Sequence, residues 1–352
     1  MVALRNVVLR AGFETLYFTG AHRLLRPLLG GVGAILTLHH VRPPRPDAFQ
    51  PNRLLEVTPR FLDDVLTGLR RSAVDIVTLD EMHRRLTECD FRRRFVCLTF
   101  DDGYRDNLRY ALPVLKKHAA PFAVYIPTSF PDRLGELWWL TLEQVIARQT
   151  RLALVMEGED RRYDCYSVEA KYELYDHIYW WLRSLDDEAD LRRAVRDLAT
   201  RYHVDAAAIC DTLCMDWGEI EQLAAEPLAT IGAHSVNHVM LRKAGDQAAR
   251  REMHNSASVI EAALGRRPRH FSYPLGDRNS AGPREFRLAA ELGFKTAVTT
   301  RPGVLFAEHA AHLTALPRIS LNGEFQQPRY AKVLMSGAAT AMWNRFRRVD
   351  AA

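Results

Sequence analysis

Short apolar runs alternate with amphipathic segments along two stretches of the chain. The predicted strands are residues 34–40, 74–79, 95–100, 121–127, 228–234, 269–274, 294–300 and 316–321. Between them, apolar positions repeat with helical period at 58–71, 80–88, 107–118, 246–264 and 282–293. Strands that alternate with helices predict a mainly parallel sheet with helices outside it. About eight such strands in a chain of 352 residues indicate an α/β fold built as a (β/α) barrel.

Capping residues set several helix ends. Thr58 is a predicted N-cap with Pro59 at the first helical position, and Asp80 is the predicted cap of the next helix. Gly265 and Gly293 follow the last periodic residues of two later helices. These signals predict helices that begin and end close to the positions of the apolar pattern.

The pattern divides the chain into four parts. Residues 34–131 and 228–322 form the predicted barrel, and 132–227 form an insertion of mostly helical period. Tryptophan pairs in the insertion either stack on sugar rings or anchor its own core. Residues 323–352 are a predicted C-terminal tail. Residues 1–33 are a predicted helical segment, in which apolar residues mix with arginines.

Composition and charge narrow the class of protein. The net charge of +5 is small for this length, and basic residues alternate with acidic ones, so nucleic acid is not an expected partner. The five cysteines are scattered, which favours a reducing compartment over a disulfide or zinc framework. No run reaches the roughly 20 apolar residues of a membrane span. A cytoplasmic protein is expected, and residues 1–34 either pack on the domain or contact the inner membrane face peripherally.

Polar residues follow several of the predicted strands. His39 and His40, Asp101 and Asp102, and His234 stand at three strand ends, and Tyr273 and Asp277 follow a fourth. In a (β/α) barrel the chemistry gathers at the carboxyl ends of the strands. These residues are therefore expected to share one site.

A pair of histidines and a pair of aspartates predict a metal site. His234 and His238 are four residues apart, which places two imidazoles on one side of a helical turn. Two imidazoles and one carboxylate form a catalytic metal site with open positions. Successive side chains of an extended segment point in opposite directions, so one aspartate can bind the metal while the other acts as a base on water. The alternative for Asp101-Asp102-Gly103 is an ordinary turn.

At these residues the chain resembles a known family. The segments "LTFDDGYRDN", "IGAHSVNH" and "FSYPLGD" are similar to motifs of the polysaccharide deacetylases of carbohydrate esterase family four, which include nodulation-type chitooligosaccharide deacetylases. The resemblance covers roughly residues 34–130 and 228–322 and implies a distorted (β/α) barrel. It also implies that Asp101 is the general base. Asp102, His234 and His238 would be ligands of a divalent metal, usually zinc.

The chain departs from the family pattern at two motifs. Ser272 and Leu275 replace the arginine and tyrosine of an Arg-x-Pro-Tyr type motif, whose arginine holds the catalytic aspartate. Tyr273 and the backbone N–H of Leu275 are the candidates for substrate or oxyanion contacts, since a backbone donor needs no side chain. The candidates that would hold Asp101 instead are Arg278, Arg284 and Arg318.

The second departure concerns the general acid. The C-terminal motif that supplies an acid histidine in the family has none here. Some members of the family carry this histidine on the first strand, and in that register His39 would protonate the leaving amine while His40 faces away. The alternative is a histidine pair of the core or the surface.

The resemblance implies a hydrolase of carbohydrate metabolism. The expected reaction is metal-dependent removal of N-acetyl groups from oligo- or polysaccharides that contain N-acetylglucosamine, with release of acetate. The alternative is a non-catalytic carbohydrate-binding protein on the same scaffold. A glycoside hydrolase fits poorly, because its two carboxylates stand about 5 Å or more apart across a cleft.

Overall fold

The computed structural model describes residues 2–351, and it describes side chains from residue 6 onward. Met1 and Ala352, the ends of the predicted N-terminal segment and of the predicted tail, lie outside the described residues. The strands of the described residues are β1 (Gly33–Leu38), β2 (His40–Val41), β3 (Glu56–Val57), β4 (Val74–Ile76), β5 (Arg94–Phe100), β6 (Phe122–Ile126), β7 (Arg151–Met156), β8 (Glu159–Asp164), β9 (Ala229–Ala233), β10 (His270–Ser272), β11 (Thr296–Pro302) and β12 (Leu316–Ser320).

The α-helices surround the sheet or fill the insertion. They are α1 (Val2–Phe18), α2 (Ala21–Leu29), α3 (Pro59–Arg70), α4 (Leu79–Thr87), α5 (Leu112–Lys117), α6 (Trp138–Arg148), α7 (Val168–Ser184), α8 (Glu188–Arg201), α9 (Ala206–Leu213), α10 (Trp217–Ala224), α11 (Asp246–Leu264), α12 (Pro283–Glu291), α13 (Pro328–Met335) and α14 (Ala338–Trp343).

Seven parallel strands of the described chain close into a barrel. Their order around the ring is β1, β12, β11, β10, β9, β6 and β5, and β5 pairs back onto β1 over its whole length. The one predicted strand that lies outside this ring is β4, which pairs only with the first residues of β5. It cannot enter the ring, because β1 occupies one edge of β5 and β6 pairs with the other edge from Leu98 onward. The structure is therefore a distorted (β/α) barrel, and the predicted fold class is confirmed.

Alternation along the strands separates two apolar clusters. Ile35, Cys97 and Tyr125 belong to the cluster of the barrel interior. Neighbours such as Leu36 and Leu98 pack instead against the outer helices. This is the period-two pattern of strands that are buried on both faces. It also determines which residues at the strand ends face the interior.

Most helix ends agree with the predicted capping residues. The Thr58 side chain accepts a hydrogen bond from the Phe61 N–H at 3.2 Å, and α11 ends at Gly265, which has φ 70°. The prediction for Asp80 was wrong. Thr78 is the cap of α4, since its hydroxyl accepts from the Glu81 N–H at 3.1 Å, and Asp80 lies within the first turn.

The insertion and the C-terminal segment contain elements that the pattern did not predict. Residues 132–227 include an antiparallel hairpin, β7–β8, beside five helices. Trp138 and Trp139 are buried in a separate apolar cluster of the insertion, as the core-anchor interpretation expected. Residues 323–352, predicted as a tail, contain helices α13 and α14.

No helix within residues 2–351 has both the length and the apolar content needed to span a bilayer.

Candidate active site

The carboxyl ends of four barrel strands bring the predicted polar residues together. His39 follows β1, Asp101 and Asp102 follow β5, and His234 follows β9. Arg318 reaches the same place from within β12. Asp101, Asp102, His234 and Arg318 each expose 3% or less of their surface. Buried ionisable groups are costly unless they are paired, so their contacts define what the site can do.

Asp102, His234 and His238 form a compact group of potential metal ligands. The Asp102 Oδ1 lies 3.4 Å from His234 Nε2 and 3.2 Å from His238 Nε2. One ligand atom from each residue falls within 4.8 Å of the other two. Burial opposes the ionisation of Asp102, but the two imidazoles outweigh it and hold the pKa of Asp102 well below its usual range. Two imidazoles and an ionised carboxylate are a donor set suited to zinc and similar ions.

The hydrogen bonding of His234 shows that this group fits a cation. The His234 Nδ1 lies 2.7 Å from the Ser272 carbonyl, which can only accept, so this nitrogen carries a proton. In neutral imidazole the Nε2 then presents a lone pair. It faces the buried Asp102 Oδ1, which has no hydrogen-bond partner among the described residues. Two acceptors in contact require a proton or a metal cation between them. The bond to Ser272 orients the ring in the way that carbonyl groups orient metal-binding histidines.

The backbone around the ligands is held in an uncommon conformation. Asp102 has φ 71° and His238 has φ 54°, both in the left-handed region that costs energy for residues other than glycine. The turn between the histidines is bonded to α11, where the Glu252 carboxylate accepts from the N–H groups of Val236 and Asn237 at 2.9 Å. The surrounding structure therefore determines the turn that carries His238.

Asp101 is paired with Arg318 in a buried bidentate contact. Arg318 Nη1 and Nη2 donate to the two Asp101 oxygens at 2.8 and 2.6 Å. Burial alone would raise the pKa of Asp101, but the Arg318 guanidinium outweighs it, and the pKa lies below its usual value. Arg318 also donates to the Ser272 Oγ at 3.1 Å. The short serine side chain leaves room for the guanidinium, and a longer side chain at position 272 would collide with it. Among the three candidate arginines, Arg318 contacts Asp101.

The other two candidate arginines have different partners. Arg278 is exposed, and its Nη2 lies 2.8 Å from Asp350 Oδ1. Arg284 bonds Glu285, Asp246 and the Leu241 carbonyl. Neither contacts Asp101, because their positions beyond β10 direct them to the outer helices. The prediction that either could hold the base was wrong.

His39 and His40 face opposite sides of the chain, as the family register implied. The His39 Nε2 lies 4.0 Å from Asp101 Oδ2, and a fifth of the side chain is exposed. Burial lowers the pKa of His39 and outweighs the attraction of Asp102 and Asp101. The His40 Nδ1 is 2.6 Å from Asp106 Oδ2, and its ring stacks on Tyr104. His39 is thus the histidine of the pair that reaches the site.

The family of the chain follows from its sequence. The profile of the polysaccharide deacetylase family matches residues 89–151 and 185–297, which is half of the chain. The chain belongs to the polysaccharide deacetylase family. It is accordingly a hydrolase that acts on carbon–nitrogen bonds other than peptide bonds. No match is found among curated protein sequences.

Solved structures share the fold of this deacetylase. The deacetylase PplD of Streptococcus pyogenes, in complex with acetate, has a TM-score of 0.58 at 18% identity, over 86% of this chain and 97% of its own. IcaB from Ammonifex degensii has a TM-score of 0.53 at 18% identity, over 86% and 97%. A de-N-acetylase from Aggregatibacter actinomycetemcomitans has a TM-score of 0.54 at 11% identity, over 86% and 99%.

The two candidates for substrate or oxyanion contact in the deacetylase are oriented differently. The Tyr273 side chain points away from the site, since its hydroxyl donates to the Thr314 carbonyl at 2.8 Å and its ring packs among the outer core. That prediction was wrong, because Ser272 faces the barrel interior and the next side chain must face outward. Leu275 has φ 57°, and within residues 2–351 its N–H donates no hydrogen bond. That N–H remains a donor for a substrate oxygen.

Several positioning residues of the deacetylase were missed at the sequence level. Asp106 binds His40 and also accepts from the Val41 N–H at 3.1 Å, and Asn107 donates to the His39 carbonyl at 2.7 Å. Together they hold the strand end that carries His39. Trp139 of the insertion lies against His238, with ring centroids 4.8 Å apart. Asp106 and Asn107, which begin five residues after Asp101, were a visible polar signal. Trp139 was noted as one of a tryptophan pair but not as a neighbour of His238, and Glu252 had no signal.

Proposed function

We propose that this deacetylase removes N-acetyl groups from oligo- or polysaccharides that contain N-acetylglucosamine, in a reaction that requires a divalent cation, with Zn²⁺ the first candidate. The observation that carries the proposal is the buried group Asp102, His234 and His238 beside Asp101. Asp101 remains free of the group because Arg318 holds both of its oxygens. The two aspartates therefore have separate tasks.

A divalent ion held by Asp102, His234 and His238 would polarise the acetamide carbonyl and acidify a water molecule. Asp101, ionised and fixed by Arg318, takes the proton from the attacking water. The N–H of Leu275 donates to the oxyanion that develops on the acetamide oxygen when water attacks the carbon. His39 gives a proton to the nitrogen as the carbon–nitrogen bond breaks. Acetate and a free amine leave the site.

The test is acetate release from N-acetylglucosamine oligomers by metal-stripped protein, with and without added Zn²⁺. We expect release that depends on the metal and that is lost in Asp101→Asn, while zinc content stays near that of the wild type. Asp102→Asn is the matched variant, and it should lose the metal as well as the activity. Release that persists in metal-stripped protein would contradict metal dependence. Metal binding without release from any oligomer would favour a carbohydrate-binding role.

We also propose a cytoplasmic location, which the five free cysteines support. Cell fractionation followed by immunodetection tests it, and recovery outside the cytoplasm and the inner membrane would contradict it.

A further inference from the structure

The helices outside the barrel leave an exposed apolar surface. Helix α2 packs against both α1 and α14, with His22 of α2 stacked on Tyr17 of α1 and with Gly337, just before α14, in backbone contact with Leu29 at the end of α2. Large apolar side chains of these helices and of the residue just after α14 are half or more exposed. They are Val7, Val8, Phe18, Leu24, Leu28, Met342, Trp343 and Phe346. We call this the α1–α2–α14 surface.

Scattered exposed apolar residues are ordinary, but a concentration on adjacent helices marks an interaction site. Half of the large exposed apolar residues within the described chain belong to this surface. Trp343 and Phe346 stand among Arg345, Arg347 and Arg348. Aromatic rings beside arginines are the composition of membrane interfaces.

A cationic cavity lies beside this surface. It has a volume of about 460 Å³ and is bounded by α2, α3 and α13 and by the first residues of β1, β4 and β5. Its charged lining residues are Arg23, Arg26, Arg71, Arg94, Lys332 and Asp64. Within residues 2–351 none of these five basic side chains forms an ion pair. Four of these side chains are exposed and that of Arg94 is partly buried, so together they give the cavity a cationic lining that can attract an anion.

Arg94 is the most buried of these five basic residues. Its guanidinium donates to the carbonyls of Gly30 and Met335, and no carboxylate of the described residues contacts it. Burial, with a smaller effect of Arg26, lowers the pKa of Arg94 to about 10. A partly buried guanidinium beside a second one is the geometry that binds phosphate groups.

The charge distribution of the chain points to the same partner. Residues 2–29 contain four arginines and one glutamate, and residues 328–351 contain five basic residues and one aspartate. These two segments carry a net +7, while the whole chain carries +5. The single glutamate, Glu14, is bound by Arg329 and Tyr330. Arg10 and Arg348 pair with Glu324 and Glu308, which lie outside the two segments, so the surface keeps a smaller positive charge on a molecule that is otherwise slightly acidic.

We infer that the α1–α2–α14 surface docks on an anionic phospholipid membrane, with its apolar side chains in the interface and the phosphate of a lipid headgroup in the cavity lined by Arg26, Arg94 and Lys332. The docking surface lies beside the amino ends of the barrel strands, and the active site lies at their carboxyl ends. The deacetylase site therefore faces away from the bilayer and stays open to a saccharide.

The experiment is co-sedimentation of the full chain with vesicles. Phosphatidylcholine vesicles are compared with vesicles that also contain phosphatidylglycerol, in roughly a three-to-one ratio. We expect the wild type to bind the anionic vesicles at least about tenfold more tightly and to be released by salt. Arg26→Gln with Lys332→Gln should weaken binding about twentyfold, and Leu24→Ser with Leu28→Ser at least about tenfold.

Matched controls distinguish docking through this surface from non-specific binding to vesicles. Arg109→Gln with Arg287→Gln removes two surface charges that form no ion pair within the described part of the chain, and Trp180→Ala removes a tryptophan about as exposed as Trp343. Both controls should bind like the wild type, whereas Trp343→Ala should bind more weakly. Circular dichroism melting shows that each variant is folded.

Two results would overturn the inference. One is that the wild type binds both kinds of vesicle equally, or that the control variants lose as much vesicle binding as the surface variants. The other is binding of inorganic phosphate without binding of anionic vesicles, which would make the cavity a site for a soluble anion. Because vesicle binding does not require catalysis, failure here leaves the proposed deacetylation untouched.

Discussion

Arg318 is the residue on which the geometry of the catalytic base depends. It is almost fully buried, and its guanidinium donates to Asp101, Ser272, Thr99 and the Thr299 carbonyl. The planar fork of arginine matches a carboxylate in two places at once, which lysine cannot do. Loss of this partner leaves a buried carboxylate without compensation, which is costly.

Replacement of Arg318 should change the pH dependence of the enzyme. The pKa of Asp101 is low because Arg318 outweighs the effect of burial, so Asp101 is the ionised base at neutral pH. In Arg318→Gln, burial raises this pKa, and the acid limb of kcat/KM moves to higher pH. We expect a fall in activity of about a hundredfold at pH 7.

The measurement is a pH profile of acetate release for the wild type, Arg318→Gln and Arg318→Lys. The lysine variant keeps the charge but loses the bidentate contact, so the acid limb of its kcat/KM profile should lie between those of the wild type and Arg318→Gln. An unchanged limb in Arg318→Gln would mean that Arg318 does not control Asp101.

His39 should matter only when the leaving group needs a proton. In His39→Ala we expect kcat for an N-acetylated sugar to fall about 10² to 10⁴-fold. Hydrolysis of 4-nitrophenyl acetate, whose leaving group departs as an anion, should change little. The two substrates measured side by side give the test.

The neighbouring histidine is the matched control. His40 binds Asp106 and faces away from the site, so His40→Ala should lower stability and affect both substrates alike. Equal losses on both substrates in His39→Ala would contradict its role as general acid.

At the scale of elements, the turn after β9 depends on a helix distant in sequence. Glu252 of α11 accepts from Val236, from the backbone N–H of Asn237 and from the Asn237 side chain, and so holds the segment between His234 and His238. The left-handed conformation of His238 is maintained by these contacts. Metal affinity should therefore be sensitive to a residue that is not a ligand.

Glu252→Gln should weaken Zn²⁺ binding about 10 to 100-fold, because supporting groups of metal ligands contribute on this scale. Competition with a chromophoric chelator measures the affinity. Glu261→Gln on the same helix is the control, since within residues 6–351 the Glu261 side chain pairs only with Arg267 at the surface. Equal affinities in the two variants would argue against a positioning role for Glu252.

A short 3-10 helix, Ala307–Ala311, depends on a buried neutral histidine. The His309 Nδ1 accepts from the Phe306 N–H at 3.0 Å, and the side chain is fully buried. Burial lowers the pKa of His309 to about 4, while the unfolded chain has an ordinary value near 6.5. The neutral form therefore stabilises the fold fully above about pH 6.5, and this contribution is lost as pH falls towards 4.

Relative to His309→Gln, the wild type should lose about 2.5 kcal/mol of unfolding free energy between pH 7.5 and 4.5. Urea unfolding at the two pH values measures it, and the difference between the proteins removes the contribution of other titrating groups. Equal losses of unfolding free energy in the wild type and in His309→Gln would show that His309 does not cause this pH dependence.

At the scale of the whole molecule, the barrel separates two surfaces. The carboxyl ends of its strands hold the candidate active site, and helices α1, α2 and α14 form a cationic apolar surface beside the amino ends. The insertion packs a separate core and reaches the site through Trp139. Because the metal group joins residues after β5 and β9, a bound ion links distant parts of the chain.

A bound ion should therefore stabilise the whole fold. At a free Zn²⁺ concentration a hundredfold above its Kd, we expect about 2.7 kcal/mol of added stability, seen as a higher Tm in calorimetry. Asp102→Ala should melt at one temperature with and without Zn²⁺. A zinc-dependent shift that survives in Asp102→Ala would place the ion elsewhere.

The sequence by itself determined the fold class, the eight strands of the sheet and the family. Apolar alternation and capping are local properties, and the motifs around Asp101 and His234 are continuous segments, so each can be recognised without knowledge of the fold. The pairing of β5 with β1, and hence the seven-strand ring, is not local. The hairpin of the insertion was missed because strand pairing leaves only a weak local pattern in six-residue runs.

Only the tertiary structure decided which distant side chains meet. Arg278, Arg284 and Arg318 were equal candidates in sequence, and the register of β12 against its neighbours brings Arg318 alone to Asp101. The same register turns Ser272 inward and Tyr273 outward. A shift of one residue would exchange the two faces of a strand, so these contacts depend on packing of the whole barrel rather than on any segment of it.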